Sequence, residues 1–139
     1  MLPICTIEKP WLCTKAGCIL ICATAVIAQQ PQPEPRAIPL ICASEDCPLL
    51  TGVPQTAGMR SGFIRLAPGQ SVGRHSTGSH EETLVILHGS GEALLDGEKR
   101  ISFTAPAAVY FPPSTFHNVL NTGRETLEYV YVVAPAAGQ

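Results

Sequence analysis

Charge is scarce in this chain. Only 14% of its 139 residues are Asp, Glu, Lys or Arg, the formal net charge is -2, and no run of lysines or arginines occurs. A nucleic-acid surface needs a basic patch, so no nucleic acid is expected as a partner. Equally missing are a P-loop, a dinucleotide glycine fingerprint and a Ser-His-Asp order. Gly89-Ser90-Gly91 reads as a β-turn rather than a loop before a helix, which argues against nucleotide chemistry. The apolar run from Ala16 to Ala28 is shorter than the about 20 residues that span a bilayer comfortably. Cysteine all but disappears after residue 28: four of the six lie before that point, and only Cys42 and Cys47 follow.

What is present divides into three parts. Lys9 and Lys15 precede the apolar run, which closes on Val26-Ile27-Ala28. A basic start, an apolar middle and a small-residue exit compose a secretory signal peptide, so residues 1–28 are read as a signal peptide or an N-terminal anchor. Cleavage after Ala28 implies export to a periplasm or secretion; without it the chain is membrane-anchored. Residues 29–57 begin with the proline- and glutamine-rich Gln29 to Pro39 and read as a linker and N-terminal arm that cannot build a core. Cys42 and Cys47 are close enough to close a small disulfide loop in an oxidising compartment; the alternative is two unlinked apolar side chains. Without a second pair they make a weak zinc pattern.

Residues 58–136 change character. Short β-branched and aliphatic runs alternate with glycine, proline and asparagine turns at intervals of about ten residues, which predicts an all-β domain. Candidate strands are Arg60 to Leu66, Ser71 to His75, Thr83 to Leu87, Gly91 to Leu95, Lys99 to Phe103, Ala108 to Phe111, His117 to Asn121 and Leu127 to Val133. Asp96-Gly97 suits a tight hairpin, because glycine accepts the positive φ such turns need. So many short strands favour a jelly-roll barrel, since closure hides edges. Glu82 shares a strand face with Leu84 and Ile86, and His117 shares one with Val119 and Asn121. A polar site at the mouth of an apolar barrel follows.

Two strings carry the chemistry. The first is Gly69-(five residues)-His75-Ser76-Thr77-(four residues)-Glu82-(six residues)-Gly89; the second is Pro112-Pro113-Ser114-Thr115-Phe116-His117-(three residues)-Asn121. With Leu94-Leu95-Asp96-Gly97-Glu98 between them, these residues resemble the cupin superfamily over roughly Met59 to Pro135. The resemblance implies a double-stranded β-helix in which histidines and a glutamate converge on one metal ion. Three positions depart from the family pattern: Thr77 stands where a second histidine is usual, Pro106 replaces the glycine that opens the second motif, and Ser114 replaces a turn glycine.

The surviving set is His75, Glu82 and His117, two histidines and a carboxylate, the composition of non-haem iron sites with open coordination positions. His80 is a candidate fourth ligand from the Gly78-Ser79 turn, and Glu81 is an alternative to Glu82 if the register slips by one. Thr77 either hydrogen-bonds a bound water or substrate, or fills vacated space. The implied cofactor is a divalent transition metal (Fe, Mn, Ni or Zn), the implied partner a small-molecule ligand, and the implied assembly a homodimer. Three functions compete: a metal-dependent enzyme on a small organic molecule, with oxygenation favoured; a non-catalytic small-ligand or metal-binding barrel; and a structural cupin with a vestigial site.

Overall fold

The computed structural model describes residues 33–136. The expected signal peptide or anchor, residues 1–28, lies outside the described residues. Nine strands follow one another: β1 (Asp46–Thr51), β2 (Arg60–Leu66), β3 (His75–Ser76), β4 (His80–His88), β5 (Ser90–Leu95), β6 (Arg100–Thr104), β7 (Ala107–Phe111), β8 (Phe116–Leu120) and β9 (Leu127–Pro135). They pair antiparallel into a five-stranded sheet, β1-β2-β9-β4-β7, and a four-stranded sheet, β3-β8-β5-β6. This is the expected all-β jelly roll, built from two sheets.

Side-chain alternation explains why the sheets stack. On β4, Glu82, Leu84 and Ile86 are buried while Val85 and Leu87 are exposed. Leu127 and Tyr129 of β9 and Val109 and Phe111 of β7 meet them from the same sheet, and Ala93, Phe103 and Val119 from the other, in one core. Removing apolar surface from water on both inner faces is what holds the layers together.

Three local differences from expectation have physical reasons. The barrel sheet starts before residue 58, because β1 joins it as an edge strand; Pro48 lacks an N–H and is tolerated only at such an edge. The strand expected over Ser71 to His75 shrinks to His75–Ser76 with a lone bridge from Ser71 to Leu120, because Gly73 takes φ 86° between them. The Asp96-Gly97 turn is a three-residue 3-10 turn rather than a two-residue hairpin, with both Gly97 and Glu98 at positive φ.

Other residues of the two motifs shape loops. Asn121 is buried; its amide donates to the carbonyls of Leu66 and Glu125, and its oxygen accepts from the Gly123 N–H, tying three segments together. Ser114 adopts φ 59°, the left-handed conformation that explains a glycine preference there, and its N–H donates to the Gly78 carbonyl at 2.7 Å. That bond holds the turn after β3 against the turn before β8.

Candidate metal centre

His75 and His117 are directly opposed across the β3–β8 pair, and Glu82 reaches them from the other sheet. Glu82 Oε2 lies 3.9 Å from His75 Nε2 and 3.6 Å from His117 Nε2, and one ligand atom from each residue falls within 4.8 Å of the others. The site therefore bridges the gap between the sheets at one mouth of the core.

Both rings are held by their far nitrogens. Nδ1 of His75 is 3.0 Å from the Gly73 carbonyl, and Nδ1 of His117 is 3.4 Å from the Thr115 carbonyl. A carbonyl accepts only, so these contacts place the ring proton on Nδ1 and leave each Nε2 lone pair facing Glu82. His117 is 1% exposed and stacked on Phe111 at 3.8 Å between ring centres. Its Nε2 has no hydrogen-bond partner although it is fully buried. Such an orphan is costly unless something binds it. Bonds of about 2.0–2.2 Å to nitrogen and oxygen let one small ion sit among these three atoms, so the residues fit a transition metal.

Electrostatics agree. Burial, and then the proximity of His75, lower the His117 pKa to about 4, against a small opposing effect of the Thr115 carbonyl. His117 is thus neutral near pH 7, and its contact with Glu82 is not an ion pair. Burial raises the Glu82 carboxyl above its ordinary range, opposed by His75 and Arg60. A dication would relieve that penalty directly.

The other expected site residues fall elsewhere. His80, expected as a fourth ligand, stays outside the cluster: it begins β4 with its Nδ1 3.5 Å from the Ser79 hydroxyl. By strand parity it shares a face of β4 with Glu82, but it sits two residues, about 6–7 Å, nearer the turn and does not join the three atoms that converge. Glu81 accepts from the Tyr110 hydroxyl at 3.0 Å, while its neighbour Glu82 is the buried carboxylate, so the unshifted register holds. Thr77 is buried; its hydroxyl donates to the Pro112 carbonyl at 2.9 Å and accepts from the Thr115 N–H at 3.0 Å. In place of a histidine, it clamps the loop that carries His117. Thr77→Val, which keeps the shape and strands both backbone groups, is expected to cost about 1–3 kcal/mol in urea unfolding.

An open cavity of about 410 Å³ adjoins the cluster and is lined by His75, Thr77 and Glu82 together with Arg60, Tyr129 and Tyr131. Arg60 was not among the residues expected at the site. The signal was available in strand parity: Arg60 falls on the same face of β2 as the core residues Ile64 and Leu66.

Two stacked antiparallel sheets with a His-Glu-His cluster at one mouth define a double-stranded β-helix with the makings of a metal centre. The sequence pattern of the family described as Cupin domain matches residues 62–133, and the chain belongs to that family. A search of curated proteins found no match. Among solved structures, an uncharacterized conserved protein with a double-stranded beta-helix domain from Klebsiella pneumoniae superposes with a TM-score of 0.61 at 22% identity, over 76% of this chain and 95% of that one. A Cupin 2 conserved barrel domain protein from Salinispora arenicola gives 0.58 at 28% identity, over 79% and 92%. The Cnp3 cupin domain of Schizosaccharomyces pombe gives 0.59 at 15% identity over 66% of this chain, which spans 64% of that domain chain.

Proposed function

We propose that this cupin holds one divalent transition metal ion (Fe, Mn, Ni or Zn) on His75, Glu82 and His117 and acts on a small organic molecule in the adjoining cavity. The observation that supports this reading best is the buried, unpartnered Nε2 of His117, aimed at a buried carboxylate that also faces His75. When bound, the ion supplies Lewis-acid or redox chemistry with coordination positions open to a substrate or dioxygen, and oxygenation is the chemistry this donor set favours.

The chain's own residues prepare the site. The Gly73 and Thr115 carbonyls fix the two imidazoles in the ligating tautomer, and Phe111 shields one face of His117 from water. Burial holds the phenols of Tyr129 and Tyr131 protonated, so the cavity wall offers hydroxyl donors. The Cys42–Cys47 bridge, with Cα atoms 5.9 Å apart, supports export to an oxidising compartment.

A second reading, binding without turnover, is favoured by Thr77, whose hydroxyl is committed to backbone where a further ligand is usual. Elemental analysis of the purified chain, before and after chelation, tests the metal itself. About one transition metal ion per chain is expected, removable by the chelator. Protein that takes up no stoichiometric metal, even after incubation with each of the four ions, would sink both readings of the centre.

A further inference from the structure

The cavity beside the metal ligands has a donor set of its own. Arg65, Arg74 and Arg100 are each paired with a carboxylate, Glu128 at 3.0 Å, Asp96 at 2.9 Å and Glu92 at 2.9 Å. Arg60 differs. It lines the cavity, yet no carboxylate among the described residues lies within ion-pair distance of its guanidinium. Strand geometry puts it there: Arg60, Gly62, Ile64 and Leu66 share one face of β2, and because the last two enter the core, the first stands at its mouth.

Tyr131 is the second donor. It lies directly opposite Gly62, and a Cβ at Gly62 would come within 2.5–2.6 Å of the phenol ring and hydroxyl. Only glycine leaves that space, so the absent side chain lets the ring lie against β2. Val133 is opposite Arg60, which makes Tyr131 its diagonal neighbour, within reach of a long side chain. The Tyr131 hydroxyl has no hydrogen-bond partner among the described residues, and Tyr131 lines the same cavity as Arg60 and Glu82.

A guanidinium and a phenol O–H, both unengaged and adjacent, are the donors that receive a carboxylate. Charge balance points the same way. Asp46, Glu82, Arg60 and Arg74 together leave the wall without net charge, which a dication on the histidine-glutamate cluster turns into two positive charges. A cavity of about 410 Å³ is at the small end for ligand sites.

We propose that the cavity selects small organic carboxylates, with the carboxylate received by Arg60 and Tyr131, and that the molecule acted on at the metal centre is therefore an organic acid. This rests on the metal reading above. The test uses the full chain loaded with Ni(II), its metal content measured first by elemental analysis, and four probes: acetate, glycolate, succinate and benzoate, each against its amide. At least one acid is expected to bind in calorimetry and raise the melting temperature, while its amide binds at least about tenfold more weakly. Arg60→Gln is expected to weaken that acid about tenfold, a difference of about 1.4 kcal/mol. Tyr131→Phe, which keeps the ring over Gly62, is expected to weaken it by a smaller factor, and both variants are expected to retain wild-type nickel content.

Absence of nickel from the wild-type chain would overturn the metal reading and this proposal with it. Full nickel content with no acid bound, with acid and amide bound alike, or with Arg60→Gln binding the acid as the wild type does, would overturn this proposal alone.

Discussion

Phenylalanine in place of His117 lowers metal affinity more than about a hundredfold, read by competition with a chromophoric chelator. Losing only a supporting hydrogen-bond partner of a metal ligand typically costs about 10–100-fold, so losing one of three ligands exceeds that range. Phenylalanine is chosen because His117 is buried against Phe111, and alanine there would also open a cavity costing on the order of 2–4 kcal/mol. Glu82→Gln has a comparable effect on affinity, since it keeps the shape and removes the charge that faces both imidazoles. His80→Ala leaves affinity unchanged, because His80 contacts Ser79 and stands outside the cluster. A His117→Phe chain that still binds metal like the wild type would place the centre elsewhere.

The contrast between His80 and His117 shows what was readable before the fold. Both lie near turn residues, and spacing alone ranked them: six residues from Glu82 to Gly89 and three from His117 to Asn121 set the register that the sheets adopt. Strands β2, β4, β5, β6, β7, β8 and β9 were legible because alternation and turn residues agree along them. β1 was not, since a proline and a cysteine-bounded loop mask a strand whose pairing comes entirely from β2. Arg60 was legible only in part: strand parity puts it on the core-facing side of β2, but that no carboxylate among the described residues pairs with it is a missing contact that only the fold reveals.

Thr77 makes the same point from the opposite side. Its position in the first motif was plain, but whether its hydroxyl faced the ligand site or the backbone depended on where the loop before β8 came to rest. The fold puts the Pro112 carbonyl and the Thr115 N–H within hydrogen-bond distance of that hydroxyl. The residue that vacates a ligand position thereby braces the strand that supplies His117, so site and scaffold are coupled through one side chain.

Acid weakens the metal-free protein through His117. Unfolded, this histidine titrates at its ordinary value of 6.5; folded, its pKa is lowered to about 4 by burial and by His75. Between those values the unfolded chain binds more protons, so stability is fully present above pH 6.5 and is lost as pH falls through the folded value near 4. The depression corresponds to roughly 3 kcal/mol. Glu82 runs the opposite way: its raised carboxyl burdens the fold at neutral pH and is relieved on protonation, from its ordinary 4.5 upward to its raised value. Because Glu82 is common to both chains, wild type and His117→Phe isolate the histidine. Urea unfolding of the two metal-free proteins, followed by circular dichroism at pH 7 and pH 4, is expected to show the wild type losing about 3 kcal/mol more than the variant. Equal losses would mean that His117 is solvated or already charged, and so could not present the neutral Nε2 on which the metal centre depends.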